Sequence, residues 1–122
     1  VHPSVVADAG GLLVLAGLLQ GVMHEVDEIL VLDATSLLVA EYLALRHEGA
    51  ADRVAVEFGF AVGVVREWYP VRALAVEAAT AAIGAFDDID ALASLALAES
   101  IGVPLLTKNP ELRSRRIPVL HC

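Results

Sequence analysis

Residues 87–109, DDIDALASLALAESIGVPLLTKN, decide how this chain is to be read. Asp87 or Asp88 is placed to cap a helix over Ile89–Ile101, and Gly102 to close it from the C′ position. Ala91, Ala93 and Ala96 are small enough to let that helix sit close against a sheet. Val103–Thr107 then reads as a buried strand. Asn109-Pro110-Glu111 starts a short turn of helix, with Asn109 as N-cap and Pro110 at the first helical position. A helix delivered through a glycine into an apolar strand is half of an α/β unit.

Working outward, the same alternation recurs. Ser4–Ala9 reads as a strand ended by Gly10-Gly11, followed by two short helices, Leu12–Gln20 and Val22–Glu28, broken at Gly21. Ile29–Leu32 is a second strand, and Thr35 or Ser36 caps a helix running to about His47. Ala50–Phe58 is helical and Val64–Tyr69 is a β-branched and aromatic strand. Pro70 leads into a helix over Val71–Ile83, stopped by Gly84, and Ile117–His121 is a terminal strand. Strands separated by helices predict an α/β fold with a mostly parallel sheet covered on both faces. Neither a repeat nor a linker interrupts residues 1–122, which read as one domain.

Composition narrows the chemistry. The chain has 122 residues, 57% of them hydrophobic, with a mean hydropathy of +0.69. Such a surplus predicts that a partner or a second copy covers part of the surface. The most apolar early stretch, Ala9–Leu19, has about 11 residues against the roughly 20 needed to span a bilayer. It also lacks the basic leader of a signal peptide. The single cysteine, Cys122, permits no intrachain disulfide, and the chain reads as cytoplasmic, without a membrane segment. A formal charge of −8 opposes broad electrostatic capture of nucleic acid and suits a cationic partner. Against that background Lys108, Arg113, Arg115 and Arg116 crowd the C-terminal end, as a solvated turn or as phosphate contacts.

Three isolated acids stand out. Asp8 closes the apolar run Ser4–Ala7, and a buried unpaired carboxylate there is costly. It is read as a metal ligand or as the N-cap of the following helix. Glu41 has Leu37, Leu38, Ala44 and Leu45 as its helical neighbours. The apolar company predicts that it points toward the core or into a cleft, where it needs a cation or a donor. Asp90 lies in the first turn of its helix, beside Asp87 and Asp88, which read as caps. The hydroxyl of Thr107 is placed to orient a carboxylate or a water. Asp33 also ends a strand and is read as capping the helix at Ser36. The four histidines lack metal-ligand spacing, and Gly10-Gly11 lacks a phosphate-loop pattern.

Taken in order, Val5-Val6-Ala7-Asp8-Ala9, Ser36–Leu43 with Glu41, and Asp90–Glu99 running through Gly102-Val103-Pro104-Leu105-Leu106-Thr107 resemble the PIN-domain family. The similarity is greatest to its small bacterial VapC-type toxins. The resemblance implies a three-layer α/β/α sandwich and a metal-dependent endoribonuclease, the toxin of a type II toxin–antitoxin pair. It implies that Asp8, Glu41 and Asp90 are the catalytic acids holding Mg²⁺ or Mn²⁺, with Thr107 and Asn109 in support. It further implies an RNA substrate, an antitoxin protein and a homodimer. Hard cations do prefer carboxylate oxygens. Two positions depart from the family pattern: Asn109 stands where a fourth acid is frequent, and Gly10 where a serine or threonine is common. A PIN-like module that binds RNA or protein without catalysis is the second reading. A receiver-like domain with Asp33 as phosphoacceptor is the third, disfavoured because the first strand ends without a paired acid.

Overall fold

Two apolar runs, Val5-Val6-Ala7 and Ile29-Leu30-Val31-Leu32, form the centre of the sheet in the computed structural model, which describes residues 2–72, 74–84 and 88–122. They belong to β1 (His2–Ala7) and β2 (Val26–Leu32). Between and after them run α1 (Ala9–Leu15), α2 (Thr35–Arg46), α3 (Ala51–Gly63), β3 (Glu67–Tyr69), α4 (Leu74–Gly84), α5 (Ile89–Ile101), β4 (Leu105–Thr107) and β5 (Val119–His121). The described strands form one sheet in the order β3-β2-β1-β4-β5. Every pairing in it is parallel, so the sheet is wholly rather than mostly parallel.

Successive strand residues point to opposite faces, and the two cores follow that alternation. Val6, Leu30, Leu32 and Leu105 pack with α5 and with Ala78 of α4. Ala7, Ile29 and Val31 pack instead with Leu12 and Leu13 of α1, Val39 and Leu43 of α2, and Ala61 of α3. The fold is therefore an α/β sandwich of three layers, with α4 and α5 on one face and α1, α2 and α3 on the other. Each fully buried Leu or Val contributes about 1.5–3 kcal/mol. No helix among the described residues is long and apolar enough to cross a membrane.

The segment 87–109 folds much as its sequence predicts. Helix α5 has the expected bounds, the Asp88 carboxylate accepts from the Ala91 amide, and Gly102 closes the helix at φ 73°. Asp87, the other candidate cap, lies outside the described residues. Beyond it, Asn109-Pro110-Glu111 makes a turn rather than a helix: Asn109 Oδ1 accepts from the Glu111 amide at 3.0 Å.

Other expectations need correction. Val22–Glu28 is not helical; β2 already begins at Val26. Asp27 and Glu28 disguise the strand because its first half lies at the margin of the core, where Ser4 Oγ donates to Glu28 at 2.7 Å. Gly10-Gly11 does not end β1 but lies in the first turn of α1. A Cβ on Gly11 would stand 2.4 Å from the Leu106 carbonyl oxygen, so glycine permits this helix to start against β4. Neither Thr35 nor Ser36 caps α2; Ala34 holds that place without a side-chain bond. Strand β3 is shorter than Val64–Tyr69, because α3 continues through Gly59 to Gly63.

A candidate acidic centre at the carboxyl edge of the sheet

The strand order contains one reversal. From β1 the chain passes through α1 to β2 on one side, whereas the helices α4 and α5 on the opposite face lead back to β4 on the other. Their carboxyl ends part between β1 and β4, the place where open α/β sheets form a crevice for ligands. Asp8 follows β1 at that point, and Thr107 ends β4 beside it.

Asp8 is buried, with 4% of its surface exposed. Its Oδ1 accepts from the Gly11 amide at 2.8 Å, making it the N-cap of α1, and its Oδ2 accepts from Thr107 Oγ1 at 2.5 Å. The Thr107 hydroxyl in turn accepts from the Asn109 amide at 3.0 Å. Asp90 reaches the same place from the first turn of α5. Its Oδ2 accepts from the Ala9 amide at 2.8 Å and its Oδ1 from Thr35 Oγ1 at 2.6 Å. The Thr35 hydroxyl is thus spent on Asp90, not on the start of α2. Asp88 completes the group, its Oδ2 accepting from Asn109 Nδ2 at 3.4 Å.

Electrostatics follow from this crowding. Burial pushes the Asp8 carboxyl up to about 7, and nearby Asp90 and Asp88 push the same way. The bonds from Thr107 and Gly11 oppose the rise without cancelling it. Asp90 is raised as well, by burial first, with Thr35 and Ala9 opposing and Asp88 adding to the rise. Carboxyls held up by desolvation and like charge are what a cation relieves.

Glu41 does not join them. It is exposed, and α2 buries Thr35, Val39 and Leu43 instead. Leu37, Leu38 and Leu45 remain 72%, 41% and 73% exposed. Its apolar neighbours therefore mark an uncovered surface, and Glu41 does not point into the core, one of the two places its sequence neighbours suggest. Among the described residues no three His, Cys, Asp or Glu side chains are gathered to hold a metal. Two carboxylates completed by water and substrate oxygens are nevertheless a common provision for Mg²⁺. Asp8 and Asp90 fit that smaller donor set, since each carboxylate oxygen keeps a lone pair beyond its one hydrogen bond.

The basic residues are arranged differently from one another. Lys108 Nζ donates to the Gln20 carbonyl at 2.9 Å and the Cys122 carbonyl at 3.3 Å, so it ties two segments together. Arg113 donates to the Pro110 and Leu112 carbonyls at 2.6 and 2.7 Å. Arg115 and Arg116 are exposed. Asp33 is exposed at the end of β2, where its carbonyl, not its carboxylate, accepts from Ser36 Oγ. Thr35 and Asp88 were legible only as capping residues, since a hydroxyl or acid at a helix start has the same local signature in either role.

No protein-family model and no curated protein matches the chain.

Proposed function

We propose that this chain is a metal-dependent endoribonuclease in which Asp8 and Asp90 hold Mg²⁺ or Mn²⁺. The observation that carries the reading is the pair of aspartates at the β1/β4 parting, both raised, both fixed by donors, and neither paired with a cationic side chain among the described residues. When bound, a divalent ion there supplies Lewis-acid activation of water and neutralises charge at a phosphodiester. Thr107 and the Gly11 amide orient the Asp8 carboxylate; Thr35 and the Ala9 amide orient that of Asp90. Asn109 and Asp88 form the neighbouring polar wall, with Asn109 neutral where the resemblance leads one to expect an acid. Arg115 and Arg116, both exposed, are the cations offered to RNA phosphates, with Arg113 beside them and Lys108 holding the backbone beneath. A cytoplasmic toxin with an antitoxin partner and a second copy of the chain accords with the resemblance and with the exposed apolar residues.

The exposure of Glu41 favours a second reading, a PIN-like module that binds RNA or protein without cleaving it. Calorimetric titration with Mg²⁺ and Mn²⁺, alongside digestion of structured RNA, separates the two. The nuclease binds metal, cleaves only with it, and loses both properties in Asp8→Asn and Asp90→Asn. Folded wild-type protein that binds neither ion and leaves RNA intact belongs to the second reading.

A further inference from the structure

Helix α1 closes on Gly17 at φ 76°, where the Gly17 amide donates to the Val14 carbonyl at 3.0 Å and the Leu18 amide to the Leu13 carbonyl at 2.9 Å. Two cations brace the loop that follows. The Arg46 guanidinium of α2 donates to the Leu18 carbonyl, and Lys108 Nζ to the Gln20 carbonyl at 2.9 Å. Between this loop and α2 lies an open pocket of about 420 Å³, lined by Gly17, Leu18, Leu19 and Gln20 on one side and by Tyr42 and Arg46 on the other. Tyr42 and Arg46 stand four residues apart, on one face of α2.

Leu18, Leu19 and Tyr42 are half-buried and pack on the core behind the pocket, which gives it a fixed apolar wall. A guanidinium carries five N–H donors, and the bond to Leu18 uses one of those on Arg46. The exposed Gln20 amide adds both a donor and an acceptor. Among the described residues that line the pocket there is no acid. Arg46 also acts on Glu57 across the α2–α3 hairpin, but that carboxyl is held below its usual range first by its bond to His47. Lys108 ties the pocket to the acidic centre. Thr107, just before it, bonds Asp8, and the lysine stem crosses Gly10, where a Cβ would stand 3.1 Å from Lys108 Cβ. The pocket wall at Gln20 is thus one lysine side chain away from the acidic centre.

An aromatic and leucine wall beside a cation with paired donors suits an unstacked nucleobase. Bases of single strands stack on aromatic rings. Arginine bonds the O6 and N7 acceptors of guanine together, whereas adenine sets its N6 donor against the guanidinium. We propose that this pocket takes one unpaired guanine of an RNA strand whose backbone passes the acidic centre, Tyr42 supplying the stacking surface and Arg46 the choice of base. This rests on the reading that the chain binds RNA, and not on metal binding or cleavage.

The probes are labelled oligouridine strands carrying one internal guanosine or one internal adenosine, titrated in EDTA so that no strand is cut, and read by fluorescence anisotropy. Wild-type protein binds the guanosine strand about tenfold more tightly than the adenosine strand. Arg46→Lys, at an exposed position, keeps the charge and loses the planar fork. It binds the adenosine strand as the wild type does and no longer prefers guanosine. Tyr42→Ala weakens binding of the guanosine strand about tenfold, and Tyr42→Phe restores it. Equal binding of the two strands by the wild type, or a guanosine preference that survives Arg46→Lys, overturns the proposal while RNA binding stands. So does wild-type affinity in a Tyr42→Ala variant of unchanged circular dichroism; where that variant does not fold, Arg46→Lys decides alone. Wild-type protein that binds neither strand overturns the proposal together with the RNA reading.

Discussion

Asp8 shows how one side chain couples the site to stability. An unfolded aspartate titrates near about 3.9, whereas burial and its acidic neighbours raise Asp8 in the fold to about 7. The native state therefore holds the proton more tightly. Its stabilisation is complete below the unfolded value and is lost as the pH rises through about 7. Asp90 shifts in the same direction and adds to the effect. Metal-free protein should lose stability in urea between about pH 4 and about pH 7, by at most about 1.4 kcal/mol per pH unit from Asp8. In Asp8→Asn the slope should be shallower; an unchanged slope would remove Asp8 as its source. The raised carboxyls were not legible in the sequence. Asp8 could be seen to end an apolar strand, but its neighbours Asp90 and Thr107 lie far along the chain and arrive only on folding.

At the scale of elements, glycine separates what local pattern reveals from what packing imposes. Gly10-Gly11 reads as a break, yet Gly11 is helical and faces the Leu106 carbonyl at a distance no Cβ can occupy. Gly59 also lies within a helix, α3, but nothing surrounds it. Substitution by alanine should therefore have opposite signs. Gly11→Ala should cost about 1–3 kcal/mol through overpacking, while Gly59→Ala should gain about 0.5–1 kcal/mol from helix propensity. Equilibrium denaturation of the two variants measures both, and equal effects would show that the α1–β4 contact is not tight. Helix α5 was read with its bounds because cap, small-residue face and C′ glycine agree. Strand β2 was half missed because Asp27 and Glu28 sit where the sheet leaves the core, and polarity there reports position, not secondary structure.

Across the whole molecule, folding and ligand binding share the β1/β4 parting. An ion that binds the native centre and not the unfolded chain raises stability by mass action, about 2.7 kcal/mol at about a hundred times its Kd. Under the proposed function, Mg²⁺ or Mn²⁺ should raise the Tm of the wild type. The rise should be larger at pH 8 than at pH 6, because the ion needs Asp8 ionised and burial raises that carboxyl to about 7. Asp8→Asn should show little of it. A Tm rise of equal size in wild type and variant would place the ion elsewhere on this acidic chain.

By itself the sequence determined the α/β class, the parallel sense of the sheet, most of the helices, and the first and last members of the acidic centre. Those features rest on periodicity, caps and strand-ending residues, which act within a turn or two of chain. Tertiary structure alone decided which acids meet. The order β3-β2-β1-β4-β5 brings Asp8 to Thr107 and Asp90 to Thr35, pairs that are 99 and 55 residues apart. It also turned the Leu37–Leu45 face of α2 outward, and Glu41 with it, because Val39 and Leu43 already fill the space against the sheet. An apolar stripe states that a surface is to be covered; only packing decides whether the chain's own core or another molecule covers it.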